Sequence, residues 1–145
     1  MTEKSCWEPQ CMAPALIRWA LGMLFFVSGI GKIANLTGFV QGYLAPAFQA
    51  TWLPAGLVSA YGYALPFVEV VMGGMLILGL FPRLALFVAG LTLLSLAFGQ
   101  MLLKQQGTVG NIFLYILMVA AALNMQAGDV WTLPWRRLSG SRKES

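Results

Sequence analysis

The sequence contains no histidine. Bis-His haem, most copper sites and the usual catalytic zinc triads all need imidazole. The chain is therefore not expected to hold a haem or a metal by itself, and it lacks the commonest general acid–base side chain near neutral pH. Any redox carrier has to be a mobile molecule or belong to a partner subunit. Charge is also scarce: 10% of residues are Asp, Glu, Lys or Arg, against 59% hydrophobic, where soluble domains carry about 25% charged residues. A soluble fold of 145 residues has no place to hide so much apolar surface, whereas lipid tails make hiding it unnecessary. Cysteine is limited to Cys6 and Cys11. Their spacing is not that of a redox pair, and the expected reading is two unpaired thiols in a short tail.

What is present is a set of four long apolar runs, over residues 13–34, 57–81, 83–103 and 109–127. At 1.5 Å per residue each is long enough for the ~30 Å hydrocarbon core. They lack two-residue alternation, and a backbone in lipid must satisfy its own hydrogen bonds, so helices are the available solution. The expected fold is all-α, a single membrane-embedded four-helix bundle over residues 13–127. Tails of residues 1–12 and 128–145 flank it, and its partner is the lipid bilayer. The brief links at Phe81-Pro82-Arg83 and at residues 104–108 make antiparallel neighbours of the helices they join. Residues 35–56 form an uncharged link rich in aromatics and proline. It reads as a short interfacial segment with rings at headgroup depth, with a lid folded over the bundle as the alternative.

The net charge of +4 does not point to nucleic acid. Four of the nine basic residues, Arg136, Arg137, Arg142 and Lys143, lie in the C-terminal tail, where a basic cluster acts as a topology determinant. Lys4, Arg83 and that tail fall on one side, Lys32 and Lys104 on the other, so both termini are expected in the cytoplasm. Trp131 and Trp135 would then mark the inner interface. Cleavage of the first run as a signal peptide is not expected, because Lys32 stands where a small residue is needed.

Charges inside a span are expensive and mark function by default. Arg18 lies about five residues into the first run, and Glu69 is the only charge of the second. On facing helices the two are expected to meet, about 9 Å apart in axial level. The alternatives are a purely structural ion pair and a neutral, protonated Glu69. Pro66, one turn before Glu69, frees a carbonyl beside Tyr61, Gly62 and Tyr63. That group either lines a polar cavity or is ordinary helix packing. Gly22 and Gly29 share a face of the first helix and, with Gly73 and Gly74, read as close-packing positions. Asn111 and Asn124 read as inter-helix hydrogen-bond partners.

Two stretches carry a family resemblance. Arg18-Trp-Ala-Leu-Gly22, continuing to Ser28-Gly29-Ile-Gly-Lys32, and Leu65-Pro66-Phe-Val-Glu69, continuing to Gly73-Gly74, Gly79 and Arg83, together resemble the two motifs of the DoxX family. The chain departs from that pattern at Ser28, where many relatives have His, and at Pro82, where Thr or Ser is common. The resemblance implies a four-helix inner-membrane protein of bacteria or archaea. It also implies a place in a quinone-linked or thiol-redox oxidoreductase system, of which the thiosulfate:quinone type is one example. On this reading Glu69 and Arg18 are the proton-handling residues. Trp19, Tyr61, Tyr63 and Lys32 are the quinone-binding candidates, and the partners are other redox subunits or further copies of the chain. A non-catalytic anchor or assembly subunit is the alternative, and an oligomeric small-molecule permease the third reading.

Overall fold

The computed structural model describes residues 9–125. The tails, with Cys6, Trp131, Trp135 and the basic C-terminal cluster, lie outside the described residues, as does any pairing of Cys6 with Cys11. Five α-helices follow in chain order: α1 (Pro9–Ala34), α2 (Ala45–Phe48), α3 (Ala55–Leu78), α4 (Pro82–Leu102) and α5 (Gln106–Asn124). A π-helical segment, Gly38–Leu44, precedes α2. Four of the helices, all but α2, are long and apolar enough to cross a membrane. Their lengths correspond to about 28–39 Å. The chain is a multi-pass membrane protein with an all-α fold.

Each long helix ends for a local reason. At Gly79 the backbone is left-handed, φ 69°, a conformation that glycine adopts without steric penalty. It stops α3 three residues short of the end of the apolar run. Phe81 is also left-handed, φ 43°, and Pro82 opens α4 at the position where its missing N–H is harmless. The turn into α5 is made at Lys104, φ 57°. α3 runs on through Pro66 as one helix.

Neighbours in sequence are neighbours in space, and α5 closes the bundle against α1. The faces are inverted relative to a soluble protein. Leu16, Met23, Val27, Phe67, Val71, Phe87, Leu114 and Leu117 are exposed, which suits lipid. Small and medium side chains such as Ala85, Leu86, Ala89, Leu93, Ile112 and Val119 fill the core with Leu21, Phe25, Met72 and Leu76.

The tightest interface is between α1 and α3, and glycine makes it. A Cβ added at Gly73 would stand 2.5 Å from the Phe26 nitrogen and 2.7 Å from the Gly22 carbonyl oxygen. One at Gly29 would meet the Pro66 oxygen at 2.8 Å. Those contacts set an antiparallel register in which Gly22 faces Gly73 and Gly29 faces Pro66. Gly74 differs from the expectation, because its added Cβ would meet open space. Asn111 and Asn124 differ as well: both are exposed on α5, because the helix presents its Val109, Ile112, Val119 and Ala122 side to the bundle.

The link between α1 and α3 is helical and folds over the bundle end as a lid, the alternative to a purely interfacial segment. Val40 is fully buried, and Leu44 and Phe48 nearly so. Leu44 and Phe48 pack with Val58, Leu102 and Leu103, while Tyr43 and Trp52 point outward. The Asn35 side chain starts the segment by accepting a hydrogen bond from the Gly38 N–H at 3.1 Å.

Candidate functional site: a cavity beside a buried ion pair

The register of α1 on α3 decides which charges meet. Residues 18, 22, 25, 29 and 32 fall on one helical face, the face that α1 turns to α3. On α3, Gly62, Leu65, Pro66, Glu69, Met72, Gly73 and Leu76 form the reciprocal buried stripe. Antiparallel packing then places Arg18 against Leu76 and Ile77, and Lys32 against Glu69.

Glu69 is the only acidic residue among those described, and its side chain is 2% exposed. Lys32 Nζ lies 2.6 Å from Oε1 and 2.7 Å from Oε2. The Ser28 hydroxyl donates to Oε2 at 3.4 Å. The carboxylate is thus satisfied on both oxygens by groups from α1. The expected meeting of Glu69 with Arg18 does not occur. Arg18 is fully buried, and its guanidinium donates to the carbonyl oxygens of Leu76 and Ile77, the latter at 3.4 Å. These carbonyls end α3, where a cation complements the helix dipole. They lie two turns, about 11 Å, from Glu69 along α3. Arg18 also sits over the Trp19 ring, 5.8 Å from its centroid.

Lys32 has a second environment. Its side chain is 21% exposed, and Nζ lies 5.5 Å from the centre of the Phe39 ring, which itself stacks on Tyr43. It reaches the wall of a cavity of about 380 Å³ formed where the Gly38–Leu44 segment and α2 bridge the ends of α3 and α4. The walls are Phe39, Tyr43, Leu44, Phe48 and Leu53 from the link, Leu57, Val58 and Leu65 from α3, and Leu96 and Phe98 from α4. The polar residues on the lining are Lys32, Tyr61, Ser95 and Gln100. Tyr61 and Ser95 bond each other across the helices at 2.6 Å. Since Ser95 donates to the Thr92 carbonyl at 2.7 Å, Tyr61 is the donor between them.

Of the residues singled out in the sequence, the structure brings Lys32 and Tyr61 to this cavity, with Glu69 directly behind Lys32. Tyr63 is half a turn or more away from Tyr61 on α3 and is exposed. Arg18 and Trp19 belong to the opposite end of α1, about 20 Å from Lys32. The sequence reading missed Phe39, Tyr43, Ser95 and Gln100 as lining residues. Ser95 had a signal, since Thr92 and Ser95 are hydroxyls one turn apart in an otherwise apolar run.

A mostly apolar pocket with a few fixed donors is the usual form of a small-molecule site. Nothing in it resembles a metal centre: among the described residues no three His, Cys, Asp or Glu side chains converge.

The family model described as methylamine utilisation protein MauE matches residues 10–111. Both motifs, at residues 18–32 and 65–83, fall inside the match. It is to a membrane-protein family other than the DoxX family they resemble. No curated protein and no solved structure matches the chain.

Proposed function

The chain belongs to the MauE family, and from that premise we propose that it is the membrane-embedded subunit of a redox system and binds a quinone in the cavity beside Lys32. The observation that carries this reading is the cavity itself, about 380 Å³ and almost wholly apolar, with Lys32 and Tyr61 among the residues that line it. The volume lies within the ~300–1,000 Å³ of ordinary ligand pockets.

The residues fit such a ligand. An ammonium has three N–H donors, and Glu69 takes at most two, so one remains for a ring carbonyl. Tyr61 offers a second donor by turning from Ser95. Phe39, Phe48 and Phe98 provide flat apolar surface for a ring, and Leu57 and Leu65 provide it for a tail. A bound quinone supplies a lipid-soluble two-electron carrier whose reduction takes up protons. Lys32 orients the carbonyl, Glu69 Oε1 and Oε2 hold the ammonium in place, and Ser28 bonds the same carboxyl. Arg18 and Trp19 take no part in this site. Arg18 ties the far end of α1 to the last turn of α3.

An anchoring subunit has no use for such a cavity. A permease needs a polar path through the bundle, yet Leu21, Phe25, Met72, Leu76, Leu86 and Leu93 fill the bundle below it. We place the cavity end outward, since Lys32 and Lys104 are its basic residues, against Arg83 at the other end and the basic sequence that follows α5.

The test is extraction of the protein, purified from native membranes in nanodiscs, followed by mass spectrometry of bound quinone. Stoichiometric quinone that is depleted in Tyr61→Phe and Lys32→Met, and retained in Arg18→Met, supports the reading. Quinone at the level of the surrounding lipid in all of them rejects it in favour of the anchor.

A further inference from the structure

The cavity has an unusual charge arrangement. Lys32 is on its wall, and Glu69 is not, because it stands behind Lys32 in the α1–α3 interface. An ammonium at the end of an apolar pocket is by itself a receptor for a lipophilic anion, and a fatty-acid carboxylate is the anion a bilayer offers. Glu69 changes that. Both its oxygens are within 2.7 Å of Nζ, so the pair brings no net charge to the pocket. A carboxylate ligand would have to pull Nζ from two charge-assisted hydrogen bonds and leave Glu69 buried without its cation, or else sit beside a second negative charge. A neutral carbonyl needs only the remaining N–H. Arg18 and Arg83 lie at the far end of the bundle, and Lys104 is absent from the lining, so among the described residues Lys32 is the one cation that lines the cavity.

We propose that Glu69 is the specificity determinant of the cavity. By neutralising Lys32 it admits uncharged, carbonyl-bearing amphiphiles and turns away fatty-acid anions. This deepens the reading of the cavity as a ligand site and rests on it, but it concerns charge selection and not the identity of the ring.

The experiment uses the full chain in zwitterionic nanodiscs at neutral pH, with three probes: a decyl-benzoquinone, dodecanoate and methyl dodecanoate. The last two differ only in charge. The wild type should bind the ester at least about tenfold more tightly than the acid, a difference of 1.4 kcal/mol. Glu69→Gln should gain dodecanoate affinity by a similar factor, and Lys32→Gln/Glu69→Gln, neutral again, should lose that gain. Equal binding of acid and ester by the wild type overturns the proposal, and that measurement needs no variant to fold. So does an acid gain that survives in the double variant. Ester preference without quinone binding supports charge selection and sinks the quinone reading. Quinone binding without ester preference does the reverse.

Discussion

Replacing Lys32 by Met leaves the Glu69 carboxyl, 2% exposed, in the α1–α3 interface without its cation. Removing one partner of a buried ion pair costs roughly 3–5 kcal/mol. Protonation of the orphaned carboxyl limits the loss, so about 3 kcal/mol is expected. Glu69→Gln keeps the shape and leaves an ammonium that is one-fifth exposed and faces the cavity, which places it near 2 kcal/mol, the low end of such truncations. The double variant Lys32→Met/Glu69→Gln should lose less than the sum, by about 1–3 kcal/mol. Arg18 supplies the control. It donates to the carbonyls of Leu76 and Ile77, two turns from Glu69, so Arg18→Met and Glu69→Gln should add within about 0.5 kcal/mol. Titration of SDS into mixed micelles, followed by circular dichroism, measures all five variants, the Arg18→Met/Glu69→Gln pair included. Additive losses for Lys32 with Glu69, or coupling above about 1 kcal/mol between Arg18 and Glu69, would refute the register on which the site is built.

The other consequences are simpler to state. Gly73→Ala drives a methyl toward the Phe26 nitrogen and Gly22 carbonyl and should destabilise the bundle by about 1–3 kcal/mol, while Gly74→Ala, next along the chain and open to space, should cost nothing in the same denaturation series. Tyr61→Phe removes one of the two donors assigned to the ligand, worth about 1 kcal/mol net, and should weaken quinone binding about fivefold in protein that still folds, as read by equilibrium binding in nanodiscs. Single cysteines at Thr37 and Gln105, on a background free of Cys6 and Cys11, should react together with an impermeant thiol reagent in intact cells, and one at Arg83 should not. Labelling at Arg83 alone would invert the orientation.

The four spans were readable because lipid permits little else, but their limits were not: α3 stops three residues early at the left-handed Gly79, and α5 (Gln106–Asn124) begins and ends three residues before its apolar run. The close face of α1 was readable too, from Gly22 and Gly29. The ion pair was not, although its signal was there. Lys32 continues the series 18, 22, 25, 29, so it shares the face of the two glycines and had to meet α3. The axial estimate that joined Arg18 to Glu69 measured each charge from the end of its own run. Helix contact is set instead by where glycine lets the backbones approach, and that register moves the partner of Arg18 two turns along α3 and the partner of Glu69 to the other end of α1. The cavity was beyond the sequence for a different reason. Its walls come from the link, α3 and α4, and its shape depends on how the Gly38–Leu44 segment folds over them. Neither periodicity nor composition encodes that placement.

The central claim is that one end of this bundle, and not its lipid-facing surface at large, holds the ligand. Photo-crosslinking with an azido-quinone in native membranes, followed by peptide mapping, tests it directly. The account predicts adducts in residues 39–61 and 95–100, suppressed by excess unlabelled quinone and lost in Tyr61→Phe/Lys32→Met. Adducts spread over exposed residues such as Leu16, Phe87 and Leu117, unaffected by competitor, would contradict it.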